Sequence, residues 1–463
     1  MSNDVLQKIV ANKKRELFLR KSLLSLEHIK KGLARSKKSF FDALNNEKSD
    51  FIFECKKASP SKGLIRKNYD LDEILGIYKD YASAVSVLTD NRYFQGSFKH
   101  LQKVTKTVTQ PVLCKDFFID TYQVYEARYF GADAILLMLS VLTDEQYKLL
   151  SDTAKELDLD ILTEVHDEDE MNRAIKLDAK IIGINNRNLK DLSIDLSTTK
   201  SLLAKLPESK KQGRIFISES GIEHHHQVRE LAPLVSGFLI GSSIMAKSDI
   251  RKQCKNLIFG INKICGLTDV QSAVAAFEQG AIYGGLIFYP KSPRYVDLNK
   301  ASEIIDAADL DYVGVFVDES KQELIDIANQ LKLKIIQLHG NEDKSYIKSI
   351  KQALPQCEIW KAVSVKSGSM DETYLDNNPN IDRLLFDTHS EKSIGGSGKS
   401  FDWSLLDSTN KQNIILAGGI DIKNIQQAVE QQTFALDINS GVEIAPGVKC
   451  KKKILEIFSA LHV

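Results

Sequence analysis

The chain has 463 residues, 43% hydrophobic and 27% charged, the composition of a soluble globular protein too long for one ordinary core. Lys+Arg and Asp+Glu both number 62, a formal net charge of zero, which argues against a general nucleic-acid binder and leaves room for local anion sites. There is no apolar run long enough to span a bilayer and no signal-peptide core, and six scattered cysteines without a CxxC pair argue for a reducing cytoplasm, against a disulfide framework and against a zinc site.

The opening VLQKIVANKKRELFLRKSLL is basic and amphipathic, but Glu16 and a long polar face favour a docked or solvated helix over a targeting or membrane-surface one. Short aliphatic runs then recur between helical-period segments: FIFEC (51–55), AVSVLT (84–89), PVLCK (111–115), DAILLML (133–139), DILTEV (160–165), KIIGIN (180–185), RIFIS (214–218) and GFLIG (237–241). All want burial on both faces, the pattern of a parallel α/β fold, and eight such units predict a closed barrel. After a helical connection near 244–258 the count restarts. INKIC (261–265), AIYGGLIF (281–288), YVGVFVD (312–318), KIIQLH (334–339), EIWKAVSV (358–365), DRLLFD (382–387), NIILAGG (413–419) and FALDIN (434–439) supply eight more strands. Two fused (β/α)8 TIM barrels in tandem are expected, residues 1–255 and 256–463; one doubly wound sheet with extra domains would leave sixteen strands without a natural break.

The last two strands of each half are followed by glycine-bearing loops: SESGI (218–222) and IGSS (240–243), then AGGI (417–420) and NSG (439–441). Barrels often bind phosphate there, because glycine lets backbone N–H groups approach the anion. The matched pair predicts a phosphorylated small-molecule substrate for each barrel.

Side chains alternate along a strand, so Ile52, Glu54 and Lys56 share one face and Phe51, Phe53 and Cys55 the other. Glu54 and Lys56 then point into the barrel mouth, with Lys57 left on the rim. Lys115 ends the third strand and Glu164 the fifth; Asn185 and Arg187 follow the sixth, and Glu219 and Ser220 the seventh. Any one of these could be a salt bridge closing the barrel top. Several charged residues ending separate strands suit proton transfer on an anionic substrate instead, with Schiff-base formation the rival role for either lysine.

These residues carry a resemblance. ECKKASPSKG, SVLTD with YFQGS, LCKDF, LLML, LTEV, GINNRNL, SESGI and GFLIGSS are similar to indole-3-glycerol-phosphate synthase along essentially the whole first half, and the N-terminal helix resembles that family's extra helix over the barrel mouth. The resemblance implies ring closure, decarboxylation and dehydration of carboxyphenylamino-deoxyribulose phosphate. It implies Lys115 as general acid at the ketone oxygen, Lys56 near the substrate carboxylate as a second candidate acid, and Glu164 and Glu54 as base and proton shuttle. Asn185 would position the intermediate with Arg187 beside it. Ser59, Ser220, Gly221, Gly241 and Ser242 fall at the phosphate site, and Glu219 is grouped with the substrate-binding residues.

In the second half Cys265 ends a strand in a barrel mouth, where a thiolate could serve as base if its surroundings lowered its pKa. Asp387 ends the sixth strand as the matching acid, or else is a loop-entry turn residue. KICGL, GLIFYPKSPR, QLHGNE, FDT…GGSGKSFDW, LAGGI and DINSGVE…PGVK resemble phosphoribosylanthranilate isomerase. That implies an Amadori rearrangement in which Cys265 takes the sugar C2′ proton and Asp387 protonates the ring oxygen. Arg294 would hold the anthranilate carboxylate. Gly419, Ser440 and Gly441 would line the phosphate loops. Cys450 stands where that family usually has Asp, past the last strand, with little catalytic consequence expected.

Three signals carry less. SIGGSGKS (393–400) is a near miss for a P-loop, lacking its first glycine, and reads as a mobile loop beside the second site. His224, His225 and His226 are consecutive at a helix start and cannot all face one ion, so solvated surface is expected. The run DEDE (167–170) opens a helix, where carboxylates favour the N-terminus. The reading is a bifunctional tryptophan-biosynthesis enzyme, cytoplasmic and monomeric, without cofactor, metal, nucleic acid or membrane partner. A Schiff-base aldolase or histidine-pathway isomerase pair would need a lysine on strand 6 or 7, or paired aspartates. A non-catalytic scaffold would be expected to lose Lys115, Glu164, Cys265 or Asp387.

Overall fold

The protein's structure, a computed structural model, describes residues 5–189, 191–366, 369–370, 378–388 and 402–463. The chain forms two compact units, Met1–Cys254 and Lys255–Val463. In the first, eight parallel strands pair in chain order: β1 (Asp50–Cys55), β2 (Ala84–Leu88), β3 (Val112–Lys115), β4 (Ala134–Met138), β5 (Asp160–Val165), β6 (Ile181–Asn185), β7 (Ile215–Glu219) and β8 (Gly237–Ile240). Pairing of β8 with β1 closes the barrel. Alternation decides what each side chain meets. Ile52, Leu113, Leu162, Ile217 and Leu239 pack together in the interior, joined by Phe40 and Leu44 from the segment before β1. Phe51 and Phe53 turn outward against Phe238 and against Tyr78 of the helix Leu71–Tyr81. Burial of such side chains contributes about 1.5–3 kcal/mol each on both faces, which is why the strands read as continuous apolar runs.

Helix α1 (Val5–Leu23) is docked. Its Lys13 is buried and its Nζ lies 2.8 Å from both Asp90 Oδ2 and Asp116 Oδ1, carboxylates that follow β2 and β3. Burial opposes the ammonium, but the charges of Asp116 and Asp90 outweigh it and raise the Lys13 pKa. Arg20 adds a salt bridge to Glu126, and Asn12 accepts from Arg92 Nη1 at 2.7 Å.

The second unit repeats the architecture with β9 (Asn262–Ile264), β10 (Tyr283–Ile287), β11 (Asp311–Phe316), β12 (Ile335–Leu338), β13 (Glu358–Lys366), β14 (Arg383–Thr388), β15 (Ile414–Leu416) and β16 (Ala435–Ile438). Each pairs with the next in parallel, and β16 pairs with β9 to close the ring. Val313, Val315, Ile335, Trp360, Leu385 and Ile415 fill its centre with Cys265.

Each expected strand forms, its ends displaced by up to a few residues. The DEDE run starts the helix Glu168–Lys176, with Asp167 as its N-cap accepting from the Glu170 N–H. One expectation needs correction. His224 and His226 are exposed, but His225 is buried, because the helix His225–Leu231 turns His225, Val228 and Leu231 inward at three-residue spacing. The stretch SIGGSGKS lies outside the described residues. Among the described residues no helix is long and apolar enough to cross a membrane, and no group of three His, Cys, Asp or Glu side chains could hold a metal ion.

Candidate active sites in the two barrel mouths

Glu54, at the inward face of β1, is fully buried, and its carboxylate takes Lys56 Nζ at 2.5 Å and Lys115 Nζ at 3.6 Å. Lys115, the last residue of β3, also donates to Glu219 Oε2 at 2.9 Å. Glu219 proves to be the final residue of β7 itself, so its carboxylate joins this cluster instead of the loop beyond. Two glycines make the room. A side-chain carbon on Gly241 would overlap Glu54 Oε2, and one on Gly183 of β6 would overlap Glu219 Oε1. Gly241, expected from sequence at the phosphate site, thus also backs directly onto Glu54.

Three carboxylates near one lysine divide the charge unequally. Burial opposes ionisation of Glu54, yet Lys56 and Lys115 outweigh it and hold the carboxyl below its ordinary range. Burial disfavours the Lys115 ammonium, but Glu219, Glu54 and Glu164 together raise its pKa. Glu164, ending β5, is pushed up to about 8 by burial and by the Glu219 charge, against the pull of Lys115 and a hydrogen bond from Asn185. At rest the cluster therefore contains an ammonium, a carboxylate and a carboxyl that exchanges its proton near neutrality.

These groups face a cavity at the open end of the barrel. Lys56, Lys115, Glu164, Asn185 and Arg187 supply its polar side, Phe94, Phe117, Leu136 and Met138 an apolar side that suits an aromatic ring, and Leu6 and Ile9 of α1 part of the wall. Ser59 lines the same space, its Oγ accepting from the Lys62 N–H at 3.2 Å. An adjoining recess is lined by Ser220, Gly221, Gly241 and Ser242 together with Lys56 and Arg187. The fold thus brings the first-half candidate site residues to the cavity and its adjoining recess, Glu219 through its contact with Lys115.

In the second barrel Cys265 directly follows β9 and is buried. Lys263, two residues earlier on the same strand face, places Nζ 3.2 Å from Cys265 Sγ, 2.8 Å from Asp437 Oδ2 and 2.7 Å from Gln337 Oε1. Burial and the Asp437 charge raise the thiol pKa, while Lys263 and Lys449 pull it down. Asp387, inside β14, lies 3.6 Å from His339 Nε2, and His339 Nδ1 is 3.0 Å from Gln337 Nε2. Burial and Asp437 push Asp387 up to about 7. Gly285 of β10 leaves the space that Cys265 Sγ and the Lys263 stem occupy.

Arg294 is buried beside Gly266, its Nε and Nη2 bonded to both oxygens of Glu443 at 2.9 and 2.8 Å. Gly419 has φ +64°, and Asn424 Nδ2 donates to its carbonyl at 2.9 Å. Ser440 and Gly441 start a 3-10 turn, and a side chain on Gly441 would overlap Ile420 O, so the loops after β15 and β16 are in contact. The sequence reading missed Lys263, Asp437, Gln337 and His339. Parity on NKIC held a signal for Lys263, because a residue two before Cys265 shares its face; the others become partners only when distant strands meet.

Known proteins share these halves. A family model for indole-3-glycerol phosphate synthase matches residues 6–257, and one for N-(5'phosphoribosyl)anthranilate (PRA) isomerase matches residues 262–460. The tryptophan biosynthesis protein TrpCF of Haemophilus influenzae is 47% identical over 465 residues, covering 100% of this chain and 98% of that protein. TrpCF of Yersinia pestis is 48% identical over 460 residues, covering 99% and 94%. TrpCF of Buchnera aphidicola subsp. Acyrthosiphon pisum is 47% identical over 463 residues and covers 100% of both. With two barrels, an acid–base cluster in each mouth and a match along its whole length, the chain belongs to the TrpCF family of bifunctional tryptophan-biosynthesis enzymes, an indole-3-glycerol phosphate synthase followed by a phosphoribosylanthranilate isomerase.

Proposed function

We propose that residues 256–463 isomerise N-(5-phosphoribosyl)anthranilate to 1-(2-carboxyphenylamino)-1-deoxyribulose 5-phosphate. Asp387 protonates the furanose ring oxygen as the C1′–O bond opens to the iminium. Cys265, as thiolate, then removes the C2′ proton, and the enolamine tautomerises to the ketone without net gain or loss of atoms. Arg294 holds the anthranilate carboxylate through the guanidinium edge facing away from Glu443, and Gly419, Ser440 and Gly441 take the phosphate.

Residues 1–255 convert that product to indole-3-glycerol phosphate. The aromatic carbon bearing the carboxylate attacks the ketone carbon, and Lys115 protonates the ketone oxygen as the new C–C bond forms. Carbon dioxide leaves next, with Lys56 beside the carboxylate. Loss of water completes the indole, with Glu164 and Glu54 as base and proton shuttle and Asn185 and Arg187 positioning the intermediate. Glu219 holds Lys115 in place, and Ser59, Ser220, Gly221, Gly241 and Ser242 take the phosphate. The protein works as a cytoplasmic monomer on these phosphorylated substrates.

The observation that supports this reading best is the Lys115–Glu219 and Lys115–Glu54 contact, which holds an ammonium at the open end of the barrel where a ketone oxygen can reach it. The test supplies purified protein with phosphoribosylanthranilate and follows both its fluorescence and the appearance of indole-3-glycerol phosphate. Lys115→Ala is expected to abolish the second step and leave the first. Cys265→Ala is expected to do the reverse when each step receives its own substrate. Loss of both activities in either folded variant would overturn the two-site assignment.

A further inference from the structure

Two asparagines stand in succession at the end of β6 and face opposite ways. Asn185 faces the cavity. Asn186 is buried on the other side, and its amide is saturated with hydrogen bonds. Nδ2 donates to Ser218 Oγ at 3.0 Å and to the Ser220 carbonyl at 3.1 Å. Oδ1 accepts from the Thr199 hydroxyl at 2.8 Å and the Thr199 N–H at 3.2 Å. Its backbone N–H donates to Glu219 O at 2.9 Å, and its carbonyl accepts from the Asp195 N–H at 2.9 Å. One side chain thus ties the end of β7 to the helix Ser197–Lys205.

The tied segment is not relaxed. Ser220 has φ +67° and Gly221 φ +85°, consecutive left-handed residues. A serine keeps that conformation only where its surroundings over-determine it. The surroundings here are the Asn186 amide on the Ser220 carbonyl and Ile194 packed where a Gly221 side chain would be.

We infer that Asn186 is a positioning residue for substrate phosphate: by holding the Ser220 carbonyl inward it keeps residues 220–221 in the left-handed turn that presents their N–H groups to the recess. The inference rests on reading that recess as the phosphate site. Asn186 touches no reacting atom, so its loss weakens binding of the phosphate and leaves the chemical step intact.

The experiment is steady-state synthase kinetics on the full chain with carboxyphenylamino-deoxyribulose phosphate, with inorganic phosphate as competitive inhibitor and thermal melting as the check on folding. Asn186→Ala is expected to raise KM and the phosphate inhibition constant by about tenfold, the effect of one lost hydrogen bond, with kcat within about threefold. Asn186→Asp keeps the volume but lacks both donors, and should reproduce the KM effect if the alanine variant fails to fold. Thr199→Val disrupts the same cluster without touching the Ser220 bond; it should lower the melting temperature and leave KM unchanged. Unchanged KM in both Asn186 variants, or an equal KM rise in Thr199→Val, overturns the positioning role. If Gly221→Ala and Ser242→Ala also leave KM and phosphate inhibition unchanged, the recess does not bind phosphate, and the underlying reading falls first.

Discussion

Lys263 Nζ stands 3.2 Å from Cys265 Sγ and 2.8 Å from Asp437 Oδ2, so the cation that can stabilise the thiolate is shared with a carboxylate that opposes it. Both effects act through a buried, low-dielectric space. Lys263→Met should therefore raise the thiol pKa further and lower isomerase kcat/KM by roughly 10²–10³-fold. Alone it strands the Asp437 charge, a cost of about 3–5 kcal/mol. The double variant Lys263→Met with Asp437→Asn separates folding from catalysis. Thiol alkylation rates against pH, measured beside isomerase turnover, check the expectation; a folded double variant with normal turnover would contradict it.

The isomerase should show an unusual pH profile. Asp387, at about 7, must carry its proton to act as acid, while Cys265, above the ordinary thiol range, must lose its own to act as base. The acid thus titrates below the base. Under pH 7 both are protonated, and the rate should rise about tenfold per pH unit with the thiolate fraction. Above pH 7 each Asp387 proton lost cancels the gain in thiolate, giving a plateau that falls only beyond the Cys265 range. Asp387→Asn should remove the break near 7; an unchanged break would assign it to another group.

Gly183 and Gly241 leave the spaces into which Glu219 and Glu54 fit. Alanine at either position should push a carboxylate off Lys115 and lower synthase kcat by roughly 10²-fold, the cost of a displacement near 1 Å in the reacting geometry. Isomerase turnover in the same preparation should stay at the unsubstituted level. Normal synthase kcat in Gly183→Ala would show that the Glu219–Lys115 contact is dispensable.

Lys13 is the buried link between α1 and the loops after β2 and β3. Lys13→Met leaves Asp90 and Asp116 without their cation and should destabilise the docked helix by about 3–5 kcal/mol. Hydrogen exchange should accelerate across Val5–Leu23 ahead of the barrel strands, and synthase activity should fall as α1 leaves the cavity wall. Uniform exchange across the first unit would mean that α1 is not a separate unit of stability.

Cys450 is the N-cap of the helix Lys451–Leu461 and makes no side-chain cap bond. Lys451, Lys452 and Lys453 then crowd the positive end of that helix. Cys450→Asp should supply both a cap acceptor and a compensating charge, worth about 1 kcal/mol. Calorimetry should show the second unit melting a few degrees higher, roughly what such a gain produces, with both activities unchanged.

The chain's local rules made much of this legible. Period-two alternation in FIFECKK put Glu54 and Lys56 on one face, and both line the first cavity, because strand parity is a backbone property that needs no knowledge of the partner strand. The seventh strand was ended one residue too early, before Glu219, since strand ends depend on pairing with β6 and β8, not on local preference. His225 was misjudged because exposure at a helix start depends on what the next layer covers.

By itself, then, the sequence determined the number of strands, their order and the side chains that point inward, since apolar runs and alternation are written residue by residue. Its motifs carried the resemblance to both enzyme families. Tertiary structure alone decided which charges meet. Lys115 gathers Glu54, Glu164 and Glu219 from three other strands, and Asp437 reaches Lys263 across the closure of the second ring. A pKa is a sum over burial and distances in space, so Glu164 at about 8 and Asp387 at about 7 exist only once both rings have closed.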